Sequence, residues 1–156
     1  MNDDLQPLAL LLAQADRQRY DALAEHQRAQ GAAEAAKAQA EQLRHYRRDY
    51  EQRWGTQFKR EGKIELVHCY QSFMERLTLA VEQQTRIAEH AAQGVERAVL
   101  ALRETELRCA SVRKLIERRI AEQRISLERR DQKQTDEAAT RAAWTRIGAT
   151  RPSPLM

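Results

Sequence analysis

The sequence predicts an all-α protein, a long two-helix antiparallel coiled-coil hairpin whose second helix is the longer. Three observations carry this. Leu, Ile, Val and Phe make up about one residue in five of 156, too few to fill a compact core of ordinary size. Charges are abundant but mixed, 27 Lys+Arg against 23 Asp+Glu, so a net charge of +4 does not hold the chain open by self-repulsion. Ala, Leu, Glu, Arg and Gln dominate, and no proline falls between Pro7 and Pro152, so only glycine can interrupt a helix over that span. The expected organisation is a single hairpin over 1–147 followed by a flexible C-terminal tail over 148–156.

The first helix is expected over about 5–54. Leu8, Leu12, Ala15, Ala22, Ala29, Ala33, Ala36, Ala40, Leu43, Arg47, Tyr50 and Trp54 recur at spacings of three, four and seven, a thin seam of mostly alanine in its middle. Gly55 and Gly62 bracket Thr56-Gln57-Phe58-Lys59-Arg60-Glu61, where this pattern loses phase, and a turn is expected over about 55–63. The second helix is expected over about 64–147. Val67, Tyr70, Met74, Leu77, Val81, Gln84, Ala88, Ala91, Val95, Ala98, Leu102, Thr105, Cys109, Val112 and Ile116 alternate at three and four, the spacing of a coiled-coil seam. Two seams and one turn bury each other most simply as an antiparallel hairpin, in which the numbers of facing residues sum to roughly 117. Leu43 would then face Met74, and Leu8 would face Cys109.

At 1.5 Å per residue the first helix spans roughly 75 Å and the second roughly 125 Å, leaving about 30 residues of the second without a partner in the chain. From Arg113 onward there are 11 bases against 6 acids, a surplus larger than the net charge of the whole chain. Ile116, Ile120 and Leu127 continue an apolar stripe along this overhang, and an apolar stripe without a partner marks a docking surface.

Other function classes find little support. The longest apolar run, 8–13, is far short of the roughly 18 to 20 residues that cross a bilayer, so no membrane span is expected. The start Met1-Asn2-Asp3-Asp4 is acidic where a secretory signal is basic. Cys69 and Cys109 lack any CxxC spacing and read as small apolar residues of a reducing, cytosolic compartment. There is no Gly-rich phosphate loop, GxSxG, HExxH or DxDxDG, so neither enzyme activity nor a cofactor is expected. His26, His45, His68 and His90 lie at no ligand spacing; a hairpin could bring His45 near His68 and Cys69, but a metal would want a fourth ligand, and a solvated surface is the simpler reading. Tyr46, Tyr50 and Trp54 stand four apart beside Arg44, Arg47, Arg48 and Arg53, as in a nucleic-acid-binding arm. Their simpler role is to cap the seam against Val67 and Tyr70.

Three segments carry a family resemblance: Tyr46-Arg47-Arg48-Asp49-Tyr50, Tyr70-Gln71-Ser72-Phe73-Met74-Glu75-Arg76-Leu77, and Arg130-Asp131-Gln132-Lys133-Gln134-Thr135-Asp136-Glu137 followed by Ala138 and Arg141. In this order, on this architecture, most of the chain resembles the FliJ family, cytosolic coiled-coil hairpins of the flagellar type III secretion apparatus. The resemblance implies a stalk in the central hole of a hexameric export ATPase, much as the rotary subunit sits in F-type ATPases. It also implies contact with the membrane-embedded export gate, escort of export chaperones, and a cytoplasmic location peripheral to the inner-membrane export apparatus. The gate contact falls on Phe73, Leu77, Ala80 and Gln84, where Gln84 takes a place held by His in some members. Phe73, next to the seam residue Met74, is expected to lie away from the sister helix. ATPase docking falls on Asp131, Gln132, Lys133, Asp136 and Glu137 of the last segment, in which Thr135 replaces the usual apolar residue. Ile116, Ile120, Arg124, Leu127, Arg129 and Arg130 of the overhang join them. A stalk of a virulence-type secretion system shares every physical feature, and a basic nucleic-acid-binding arm is a second alternative; no nucleic-acid partner is expected.

Overall fold

The computed structural model describes residues 5–60 and 62–149, which form two helices, α1 (Leu5–Arg60) and α2 (Ile64–Ala149), packed as a hairpin in which α2 is the longer. Pro7 is tolerated because it lies in the first turn of α1, where backbone N–H groups have no acceptor within the helix. Lys59 and Arg60 close α1 with positive charge beside its unpaired carbonyls, and Glu65 opens α2 with negative charge beside its unpaired N–H groups. The Val67 N–H donates to the Lys63 carbonyl at 3.3 Å. Among the described residues no helix is long and apolar enough to cross a membrane. The acidic start and the tail from residue 150 lie outside the described residues; Gly148 and Ala149 continue α2.

The turn expected over 55–63 contracts, because α1 runs on to Arg60. No described residue has a positive φ, so Gly55 performs no turn and sits in regular helix. The physical reason is Phe58. Its ring lies 5.6 Å from that of Trp54 and 5.2 Å, edge-on, from that of Tyr70. Shielding an aromatic side chain contributes more than the roughly 1 kcal/mol that a helical glycine costs.

All twelve expected seam positions of α1 and all fifteen of α2 are shielded from solvent. The most buried are Ala15, Ala36 and Ala40 on α1 and Leu77, Val81, Ala98, Cys109 and Val112 on α2. The chain divides into two compact units, Ala13–Cys109 and the residues up to Leu12 together with those from Ala110.

Within Ala13–Cys109 the register differs from the expected one. Tyr50 meets Phe73, Trp54 meets Tyr70 and the Cys109 thiol meets Asp16, pairs whose numbers sum to 123, 124 and 125 rather than 117. Leu43 accordingly lines a groove with Gln84 instead of facing Met74, and Cys109 pairs with Asp16 rather than Leu8. The shift is one heptad. It follows from the extension of α1 to Arg60, which moves the chain reversal to Gly62 and Lys63, and it leaves every seam residue in phase.

In the second unit, Leu5, Leu8 and Leu12 are shielded together with Val112, Leu115, Ile116 and Gln123. Ile116 therefore belongs to this packed stretch and not to an uncovered stripe. From residue 124 to 149 every residue of α2 is exposed.

Candidate functional site

Two regions carry the candidate residues. The first is the closed end of the hairpin, where six of the eight aromatic residues gather. Tyr46, Tyr50, Trp54 and Phe58 follow one another at four-residue spacing on α1, one above the next on a single face. Tyr46 and Tyr50 have ring centroids 5.1 Å apart; across the pair, Tyr50 lies 4.6 Å from Phe73 and Trp54 lies 5.6 Å from Tyr70. A hydrogen bond with the Tyr50 phenol, reinforced by burial, holds the Tyr46 phenol above the ordinary tyrosine ionisation range, with Arg53 acting the other way. Aromatic rings at these distances contribute beyond their buried area.

The residues expected at the gate contact are turned inward to different degrees. Phe73 is half-buried beneath Tyr50 and does not point away from α1. The one-heptad shift brings a large ring opposite it where the shorter α1 would have offered none. Leu77 is only 7% exposed, and Ala80 is half-buried. The Gln84 side-chain amide donates across the hairpin to Gln39 Oε1 at 3.0 Å and to the Ala36 carbonyl at 3.4 Å. One residue on, the Arg44 guanidinium donates to Thr85 Oγ1 at 2.9 Å, and Thr85 Oγ1 donates to the Val81 carbonyl at 2.7 Å. His45 does not meet His68 and Cys69; its Nε2 lies 3.6 Å from Asp49 Oδ2, and no group of three metal-ligating side chains occurs among the described residues.

A surface that the seam did not reveal lies on α2 beside these residues. Tyr70, Gln71, Met74, Glu75, Thr78 and Leu79 line one shallow groove. Leu79, Gln83, Arg86, Ile87 and His90 line the next, with Leu79 shared and 62% exposed. The sequence signal was present: Leu79 falls two residues after the seam residue Leu77 and so points away from the seam, as an apolar residue out of phase.

The second region is the exposed part of α2. Arg129, Gln132, Lys133, Asp136, Glu137, Thr140 and Arg141 line one face. On it the Gln132 amide donates to Asp136 Oδ1 at 3.1 Å, and Arg141 lies 3.8 Å from Glu137. At about 100° per residue, Arg124 and Asp131 fall on the opposite side of the helix from Lys133, and Leu127 about a third of a turn away, with Arg130 between. Ile120 is 43% and Leu127 48% exposed. Trp144, which is out of phase with that stripe, is 71% exposed. The expected ATPase residues thus surround the helix instead of converging on one face.

A sequence model of the FliJ family, described as Flagellar FliJ protein, matches residues 4–148. No curated protein and no solved structure gives a significant match.

Proposed function

This chain belongs to the FliJ family, a non-catalytic component of the flagellar export apparatus, and from that premise we propose that it acts as the central stalk of the hexameric export ATPase. The observation that carries the reading is the exposure of residues 124–149 all round one helix. A helix that docks by one face needs one stripe, whereas a helix enclosed by a ring meets its partner on every side. Ile120 and Leu127 offer apolar contact on one side. Arg129, Lys133, Asp136 and Glu137 offer charge and Gln132 an amide on another, and Arg124 and Asp131 add charge beside the apolar pair. The exposed stretch of 26 residues is about 39 Å long.

At the other end the stalk would link the ATPase to the cytosolic part of the export gate through the face of Phe73, Leu77, Ala80 and Gln84. On that reading Ala80 and the rim of Phe73 make the contact, while Leu77 and Gln84 act from within by holding the face in shape. Escort of export chaperones, and a cytoplasmic location peripheral to the inner-membrane export apparatus, complete the proposal on the family resemblance.

The test is co-purification with the export ATPase of the full chain and of a chain ending at Gln123. The shortened chain retains every buried residue among those described, so it should keep its helicity and melt within about 2 °C of the full chain while losing the ATPase. Equal ATPase affinity of the two chains would sink the stalk role of residues 124–149.

A further inference from the structure

The alanine-rich middle of α1 is nearly indifferent to register. Ala22, Ala29, Ala33, Ala36 and Ala40 face a stretch of α2 in which Val81, Ala88 and Val95 recur at one seam position of the heptad and Ala91 and Ala98 at the other. Sliding α1 by seven residues along α2 returns each of these to a seam position: Ala40 leaves the level of Gln84 for that of Leu77, and Ala36 leaves that of Ala88 for that of Val81. An alanine fits opposite any of them, and the area that these alanines bury hardly changes.

What changes lies outside the alanines. The adopted register stacks Tyr50 on Phe73 and places Trp54 and Phe58 against Tyr70. It also forms the bonds from Gln84 to Gln39 and Ala36 and from Arg44 to Thr85. A slide towards the closed end breaks all of these and requires residues 54–60 to leave the helix and lengthen the connection. That heptad is the one in α1 best suited to do so. It contains Gly55, where a Cβ would meet nothing within 4 Å, so packing does not require the glycine. It also contains Thr56, whose hydroxyl bonds back to the Gln52 carbonyl at 3.0 Å. Both residue types weaken a helix interior.

We propose that Ala13–Cys109 has a second packing register, one heptad or about 10.5 Å from the adopted one, and that the aromatic end selects between them. In the second register Leu43 meets Met74 and residues 54–60 form the connection. A partner that draws Tyr70 or Phe73 out of the aromatic stack favours the second register by its differential affinity, and the stretch of α1 from residue 13 to 53 then shifts along α2. The device converts an event at the closed end into a movement along the helix pair, whatever the partner there is.

The experiment places spin labels at the exposed positions Glu41 and Glu96 of the full chain, with Cys69→Ser and Cys109→Ala, and measures the distance distribution by double electron–electron resonance. The slide lengthens the axial separation of these labels by about 10 Å. The otherwise unmodified chain should give one population, and Trp54→Ala/Phe58→Ala should add a second at the longer distance; Phe58→Ala alone, the milder change, should show the same population in smaller amount. Unchanged distributions in both variants, with helicity retained, would overturn the proposal. Loss of helicity in both would overturn it as well, since the aromatic end would then hold the pair together and not choose its register.

Discussion

Tyr46 shows how a single residue reports the closed end. Its phenol is held above the ordinary tyrosine range chiefly by the hydrogen bond with Tyr50, so the folded state prefers its neutral form. That contribution is present below the unfolded tyrosine pKa and is lost as pH rises through the higher folded value. Tyrosinate absorbance followed against pH should therefore show one group titrating late in the native chain, and Tyr50→Phe should bring it back towards the ordinary range. An identical late titration in Tyr50→Phe would assign the shift elsewhere. Gln84 teaches a different lesson at the same scale. Its seam position was legible, but its bonds to Gln39 and Ala36 were not, because a polar residue in a seam shows its partner only once the facing helix is in place.

At the scale of an element, the end of α1 is where local and tertiary preferences conflict. Gly55 and the loss of pattern after Trp54 read as a turn, yet Phe58 is held against Trp54 and Tyr70 and keeps residues 55–60 helical. Gly55 has a helical backbone and open space for a Cβ, so Gly55→Ala should stabilise the protein by about 0.5–1 kcal/mol, raising the melting temperature seen by circular dichroism. A lower melting temperature would mean that residue 55 is not helical in solution. The far part of α2 presents the opposite case: residues 124–149 are exposed along their whole length, and the helix expected over 64–147 runs to Ala149.

Over the whole molecule, charge is distributed unevenly. The chain carries a net +4, while the part from Arg113 onward has 11 bases against 6 acids. Arg124→Glu, Arg129→Glu and Arg130→Glu together move the net charge from +4 to −2. These side chains are exposed and make no buried contact, so the melting temperature should hold. On the proposed stalk role, association with the ATPase should slow, and its rate should respond less to salt, because the steering that the basic stretch would supply is screened over about 8 Å at physiological ionic strength. Stopped-flow association rates across a salt series check this, and an unchanged rate at low salt would remove electrostatic steering from the account.

The helix count, the buried face of each helix, the greater length of α2 and the basic surplus at its end were all determined by the sequence alone. A seam repeating every three and four residues reports the face a helix buries without reference to what covers it. The register was decided only by tertiary structure. A seven-residue repeat is unchanged by a shift of seven, so the seam fits a turn centred near Phe58 as well as one at Gly62. Only contacts that do not repeat, the rings of Tyr50, Trp54, Phe58, Tyr70 and Phe73, distinguish the two. The same contacts turn Phe73 inward and leave the face around Leu79 exposed, which is why the seam was legible from the sequence and the surface at the closed end was not.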